Sequence, residues 1–264
     1  AAATPAAPPA MMMARRPAII DLPPPDKWLG QGDKKAAPAK GVFSAASLAD
    51  IERDLAYADL IKAIRRQPVC AVLPNMTIRR VFDELYIHIA HLRQTLKSPV
   101  DFLNTRWLFK YLTHLLDNRM LELVRANPGQ YLKTPVSINL NVETLLSSQF
   151  DEFDAALSPQ AKVGVVIEVP VVDVYADMTA FKLACAEVQQ LGYRVCLDGL
   201  TAASFTSISR DRLGVDLVKV QWNADPQSDI TSSENLEIAE AVRVTGTNRV
   251  ILCRCDKRSA VEYG

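Results

Sequence analysis

An α/β chain built on a largely parallel sheet is predicted by three features of this sequence. From about residue 105 onward, apolar runs of strand length alternate with amphipathic runs of helix length. The segments between successive strands supply the dozen or more residues that a parallel crossover requires. Several strands end on a polar side chain at a nearly constant interval. A doubly wound open sheet and a β/α barrel both fit this alternation. No strand is followed by a Gly-rich phosphate loop, which lowers the weight of a dinucleotide-binding sheet.

The elements follow in order. Residues 1–42, opening "AAATPAAPPAMMMARRP", are dominated by Ala and Pro and read as a linker or disordered segment, extended through Pro23-Pro24-Pro25. Residues 43–264 hold the folded domain. "SAASLADIERDLAYADLIKAIRR" reads as a helix with Ile51, Leu55, Ala58 and Ile61 on one face. "VCAVLP" and "RRVFDELYIHIA" read as two strands joined through "NMT", a link too short for a crossover, so they are expected to be antiparallel neighbours. A helix over about 105–126 carries Trp107, Leu108, Tyr111, Leu112, Leu115 and Leu116 at helical spacing and stops at "NPG". Strand "VSINL", helix "VETLLSSQFDEFDAAL", strand "VGVVIEV", helix "DMTAFKLACAEVQQLG" and strand "RVCLD" succeed one another. Strand "VDLVKV", a helix around 233–243 and strand "RVILC" complete a count of seven strands.

Composition narrows the function classes. Thirty basic residues balance thirty acidic ones among 264, so no net field draws in a nucleic acid or an anionic membrane. Cys70, Cys185, Cys196, Cys253 and Cys255 are odd in number and sit mostly in apolar runs, which suits buried thiols in a reducing cytoplasm. No apolar run approaches the roughly 20 residues that span a bilayer. The chain opens at Ala1 without an initiating Met, as a piece of a longer protein would, so any membrane contact is expected only through sequence upstream.

The polar strand ends carry the chemistry. Asn139 to Glu168 is 29 residues and Glu168 to Asp198 is 30, one β/α repeat each. The three are therefore expected at equivalent heights, which in a β/α barrel is the C-terminal rim where active sites are built. Asp-Gly after a strand by itself marks a turn, but Asp198-Gly199 recurs in phase with the others. Glu84 shares its strand face with Phe82, Tyr86 and His88. One Asn and three carboxylates are a hard-oxygen set suited to Mg²⁺, Mn²⁺ or Ca²⁺. Lys219, at the end of "VDLVKV", adds an ammonium that could balance phosphate charge. His88 and His91 fall on opposite faces of a strand, and Cys253 and Cys255 have no second thiol pair, so neither reads as a zinc site.

With these residues in place, the chain resembles the EAL domain from about residue 48 to its end. The resemblance rests on "DLIKAIRRQPVCAVLP", "PVSINLN", "VVIEVP", "LGYRVCLD" and "VDLVKV". It implies a β/α (TIM-like) barrel with an antiparallel first strand, and active members hydrolyse the bacterial second messenger cyclic di-GMP. It also implies that Glu84, Asn139, Glu168 and Asp198 hold a first metal and that Lys219 is the catalytic-site lysine. The family's Glu-Ala-Leu reads here Glu84-Leu85-Tyr86.

The sequence departs from that pattern at several positions. Gly199 stands where the family has a second aspartate that helps hold a second metal. Leu200-Thr201-Ala202-Ala203 replaces a Phe-Gly-Thr-Gly loop, Gln221 replaces an Asp and Cys253 a Glu, with Asp256 near the latter motif's second acidic position. His88 replaces an Arg that grips the nucleotide phosphate, and His88 and Tyr86 together weaken the expected nucleotide binding. The last barrel strand would fall beyond Gly264. The expected function is a catalytically degenerate module of bacterial cyclic di-GMP signalling, a receptor or scaffold for other signalling proteins, binding at most one divalent ion weakly and able to form a homodimer. It is expected to be cytoplasmic, or tethered through a missing N-terminal region. The alternative is an active metal-dependent phosphodiesterase that hydrolyses cyclic di-GMP to linear pGpG.

Overall fold

The structure, a computed structural model, describes residues 11–14, 45–73, 77–88, 106–221 and 233–255. Eight strands close into a barrel in sequence order: β1 Met11–Ala14, β2 Ile64–Val72, β3 Ile78–Ile87, β4 Val136–Asn139, β5 Val165–Pro170, β6 Arg194–Leu200, β7 Leu217–Gln221 and β8 Val250–Cys253. β2 runs antiparallel to both β1 and β3, and every other neighbouring pair is parallel, including β1 with β8. The antiparallel pairing expected of the first two strands read from the sequence is that of β2 with β3.

The alternation of side chains sorts residues between two apolar layers. In β5, Val166 packs inside the barrel, while Val165, Ile167 and Val169 face the surrounding helices. Burial on both faces is why this strand is almost wholly apolar. The inner layer is small: Val69, Phe82, Val166, Cys196, Leu217, Ile251 and Cys253. The outer layer is larger and is sealed by helices such as Arg106–Ala126, which contributes Leu108, Leu112 and Leu116 at four-residue spacing, with Met120, Leu121 and Val124 beyond them.

Three expectations are corrected. The first helix ends at Tyr57 instead of running to Arg66, and β2 begins at Ile64. Pairing decides this, since Ile64 to Gln67 lie opposite Ile87 to Glu84. The Arg66 guanidinium then reaches Asp83 (3.2 Å) and the Tyr131 carbonyl (2.6 Å), contacts that an extension of the helix could not make. The helix expected from Val142 breaks at Ser147, whose backbone is extended, into Val142–Leu145 and Ser148–Ala155.

The third correction concerns the stretch read as a linker. Its Met11–Ala14 forms β1, which pairs with Val69–Val72 of β2 and with Ile251 and Leu252 of β8. The place between β8 and β2 assigned to a strand beyond Gly264 is thus taken by β1, and the count of strands among the described residues is eight, against the seven expected. Backbone hydrogen bonds to two open strand edges do not require a period-two sequence pattern, so composition gave no sign of it. Pro23-Pro24-Pro25, the turn at 75–76, His91 and Asp256 lie outside the described residues.

Candidate functional site

The inner faces of β3, β4, β5, β6 and β7 bring Glu84, Asn139, Glu168, Asp198 and Lys219 together. Lys219 is the hub. Its Nζ donates to Glu84 Oε2 at 2.9 Å and to Glu168 Oε2 at 2.7 Å, and lies 3.8 Å from Asp198 Oδ1. Asn139 Nδ2 donates to Glu84 Oε1 at 3.1 Å. Glu84, Glu168 and Lys219 are buried, whereas the Asp198 side chain keeps 24% of its exposure. The cluster therefore has a closed floor and one carboxylate toward solvent.

The heights are not all equal. Asn139 is in register with Glu168, as expected, but Glu168 pairs with Cys196, and Asp198 lies two residues further along, beside Pro170. Strand stagger in a closed barrel produces this offset, and two residues preserve the inward face. Asp198 reaches back toward Lys219 across a register shift between β6 and β7 at Leu197–Leu200. Gly199 lies within that shift with φ of +85°, a conformation that L side chains rarely adopt. Space for a Cβ is ordinary there, Val171 Cγ1 being 3.7 Å away, so backbone conformation is what favours glycine.

Burial sets the electrostatics. Desolvation first, and then the Glu168 charge, push the Glu84 carboxyl up to about 8, against the pull of Lys219. Desolvation raises Glu168 as well. The surrounding Asp198, Glu168 and Glu84 hold Lys219 well above its ordinary value despite burial, so it stays an ammonium. Glu168 Oε1 is buried without a hydrogen-bond partner. Burial likewise pushes the Cys253 thiol up to about 12, and its Sγ lies against the Val220 carbonyl at 3.4 Å.

The remaining positions sit around this centre. Tyr86 and His88 are partly buried and continue the inward parity of Glu84 along β3. Gln221 is half-buried at the end of β7. Thr201 and Ser204 cap one another at the start of the helix Ala202–Ser207, so the segment that replaces the glycine loop is a capped helical turn. Gln67 was missed by sequence reasoning. It is buried opposite Glu84 on β2, with both carboxamide atoms lacking a partner. Its signal was the two-residue step from Gln67 to Val69 along β2, hidden because Gln67 falls between the helix expected to run to Arg66 and the strand expected from Val69. His114 bonds Thr144 through Nδ1 at 3.0 Å, as part of a network behind β4. Cavities of about 170 and 240 Å³ lie elsewhere, lined by residues such as Pro135 and Gln160 or Lys182 and Arg212.

The donor set fits one hard divalent cation in its chemistry: a carboxamide and three carboxylates, one of which, Glu168, has its Oε1 unpartnered. In geometry the carboxylates close on Lys219 Nζ, and no group of three or more His, Cys, Asp or Glu among the described residues is spaced to hold a metal.

These features define a β/α barrel with one antiparallel strand and a lysine-centred carboxylate cluster on its inner face. The fold is that of the EAL domain. The structure of Vibrio cholerae LapD comprising S helix, GGDEF and EAL segments, bound to c-di-GMP, aligns over 86% of this chain and 55% of that one, at 13% identity and a TM-score of 0.59. Its apo form aligns over 86% and 56%, at 12% identity and a TM-score of 0.56. The chain thus spans about half the length of these structures. No protein-family model and no curated protein matches the sequence. No helix among the described residues is long and apolar enough to cross a membrane.

Proposed function

We propose that this protein is a catalytically degenerate EAL-type module that binds cyclic di-GMP and relays its presence to partner signalling proteins. The observation that carries this reading is the pairing of an intact carboxylate–lysine floor with Gly199 at the neighbouring rim position. Glu84, Asn139, Glu168 and Asp198 supply the donors for one cation, which would have to displace Lys219 from Glu84 and Glu168 and would then offset phosphate charge. In-line attack on a phosphodiester draws on two cations that stabilise the attacking and leaving oxygens, and Gly199, Gln221 and Cys253 offer no carboxylate for a second. LapD, whose fold this chain shares, is described as bound to c-di-GMP. In this chain Gln67, Tyr86 and His88 would line the nucleotide subsite, and the partly exposed Asp198 would face it.

Titration calorimetry with cyclic di-GMP, with and without Mg²⁺, Mn²⁺ or Ca²⁺, tests the reading. The expected result is saturable binding, strengthened by one metal equivalent. Absence of heat under every condition would reduce the module to a scaffold without a nucleotide, and two metal ions bound per chain would contradict the single-site assignment.

A further inference from the structure

We propose that Asp117 and Asp173 are positioning residues that clamp the chain leaving β4 and so hold Asn139 against Glu84; this deepens the reading above and rests on it for the consequence in ligand binding. Neither carboxylate belongs to the cluster around Lys219. Asp117 comes from the Arg106–Ala126 helix and Asp173 from the helix Val171–Ala176 that directly follows β5. Both are buried, with 7% and 6% exposure.

Their partners are all in the five residues after β4. Asp117 Oδ2 accepts from the Asn141 backbone amide (2.7 Å), from Asn141 Nδ2 (2.7 Å) and from Thr144 Oγ1 (2.9 Å). Asp173 Oδ2 accepts from the Val142 backbone amide at 2.8 Å. The Leu140 amide in turn donates to the Glu168 carbonyl at 2.9 Å. Every amide from Leu140 to Val142 is thereby tied down, two of them by carboxylates from other elements. Asn141 makes no side-chain cap to the short helix Val142–Leu145, so the first turn depends on these remote acceptors. Thr144 spends its one proton on Asp117 and so accepts from His114 Nδ1–H, which fixes the tautomer of that histidine.

The consequence follows from distance along the chain. Asn139 lies two residues before Asn141, at the last position of β4. Asp173 lies five residues after Glu168, so the clamp ties together the ends of the two strands that deliver Asn139 and Glu168. A buried carboxylate acting as triple acceptor is costly to desolvate, and removing it leaves three donors unsatisfied behind the site. Groups of this kind, acting through a ligand residue, typically change affinity by about 10- to 100-fold.

The test uses the whole chain and the variants Asp117→Ala, Asp117→Asn, Asn141→Ala, Asn139→Ala and Asp117→Ala/Asn139→Ala. Hydrogen exchange reports the clamp itself. The expected result is faster exchange of the Asn141 and Val142 amides in Asp117→Ala, with β6–β8 amides unchanged and near-native protection in Asp117→Asn, whose carboxamide oxygen still accepts. Calorimetry with cyclic di-GMP and Mn²⁺ reports the consequence: about tenfold weaker binding in Asp117→Ala, and no further loss when it is added to Asn139→Ala. An equal loss in both backgrounds would mean a merely structural role and overturn the proposal, as would unchanged exchange. If Asp117→Ala does not fold, Asn141→Ala, which removes one of the three bonds to Asp117 together with a 3.3 Å bond to Thr113 Oγ1, should show the same pattern more weakly, and its failure to do so overturns the clamp. If the wild type binds neither probe, the functional reading fails separately, and unchanged amide exchange remains the result that overturns the clamp.

Discussion

The two sides of the barrel mouth solve different problems. On the β3–β5 side, Glu84, Asn139 and Glu168 are bonded to one another or to Lys219, and the segment after β4 is tied by Asp117 and Asp173. On the β6–β8 side, the positions beside Asp198 and Lys219 are a glycine in a left-handed conformation, a half-buried glutamine and a buried thiol. Lys219 belongs to the second side and spends its ammonium on the first. Charge is thus concentrated where the backbone is most constrained, and the opposite wall adds one partly exposed carboxylate, Asp198. On the function proposed above, such a site recognises a phosphate-bearing ligand while lacking the second cation that cleavage uses.

The largest expected effect breaks the link between the sides. Lys219→Met should leave Glu84 and Glu168 buried without their counter-ion and cost about 3–5 kcal/mol in urea denaturation near pH 8. The loss should shrink as the pH falls, because both carboxyls are already raised and take up protons. A loss of under about 1 kcal/mol would mean that the ion pairs are incidental.

Next in size is a test of the constrained side. Burial raises the Asp117 carboxyl from 3.8 to about 7. A raised folded-state value contributes stability that is full below the unfolded value and is lost as the pH rises through the folded one. Asp117→Asn, which does not titrate, should therefore gain on the wild type by about 3 kcal/mol between pH 4 and pH 8. Parallel pH profiles would show that Asp117 is not desolvated as described.

Smaller effects probe the opposite wall. Gly199→Asp should destabilise by about 1–2 kcal/mol, because its positive φ disfavours any L side chain, and should not restore hydrolysis of cyclic di-GMP. Adding His88→Arg and Cys253→Glu should not restore it to a normal enzyme rate either, while the backbone at 199 stays strained. Full recovery in the single variant would show that a missing carboxylate was the whole defect. Smallest of all, Cys196 and Cys253, both buried with raised thiols, should resist Ellman's reagent at pH 8 until the barrel is unfolded.

Much of this was legible in the sequence, for identifiable reasons. The 29- and 30-residue intervals brought out Asn139, Glu168 and Asp198 as strand-end residues, although Asp198 lies two residues beyond the register of Glu168, and Lys219 followed from its place at the end of a strand. What escaped was set by tertiary partners. Ile64–Arg66 reads as the end of a helix until β3 pairs with it, and Gln67 falls in the gap before the strand expected from Val69. Asp117 sits on the buried stripe of a long helix, where an isolated acid gives no sign of the three donors that it will meet. Gly199 read as a turn signal and as a lost ligand, whereas it lies inside β6 with a positive φ at a register shift. β1 comes from a stretch whose composition suggests no strand.

Binding without cleavage is the central property proposed for this protein. The most direct measurement is the release of linear pGpG by the wild-type chain at saturating cyclic di-GMP, in Mg²⁺ and in Mn²⁺, with binding verified in the same samples. The expected result is a bound nucleotide that stays intact. Turnover near about 1 s⁻¹, an ordinary enzyme rate, would contradict it.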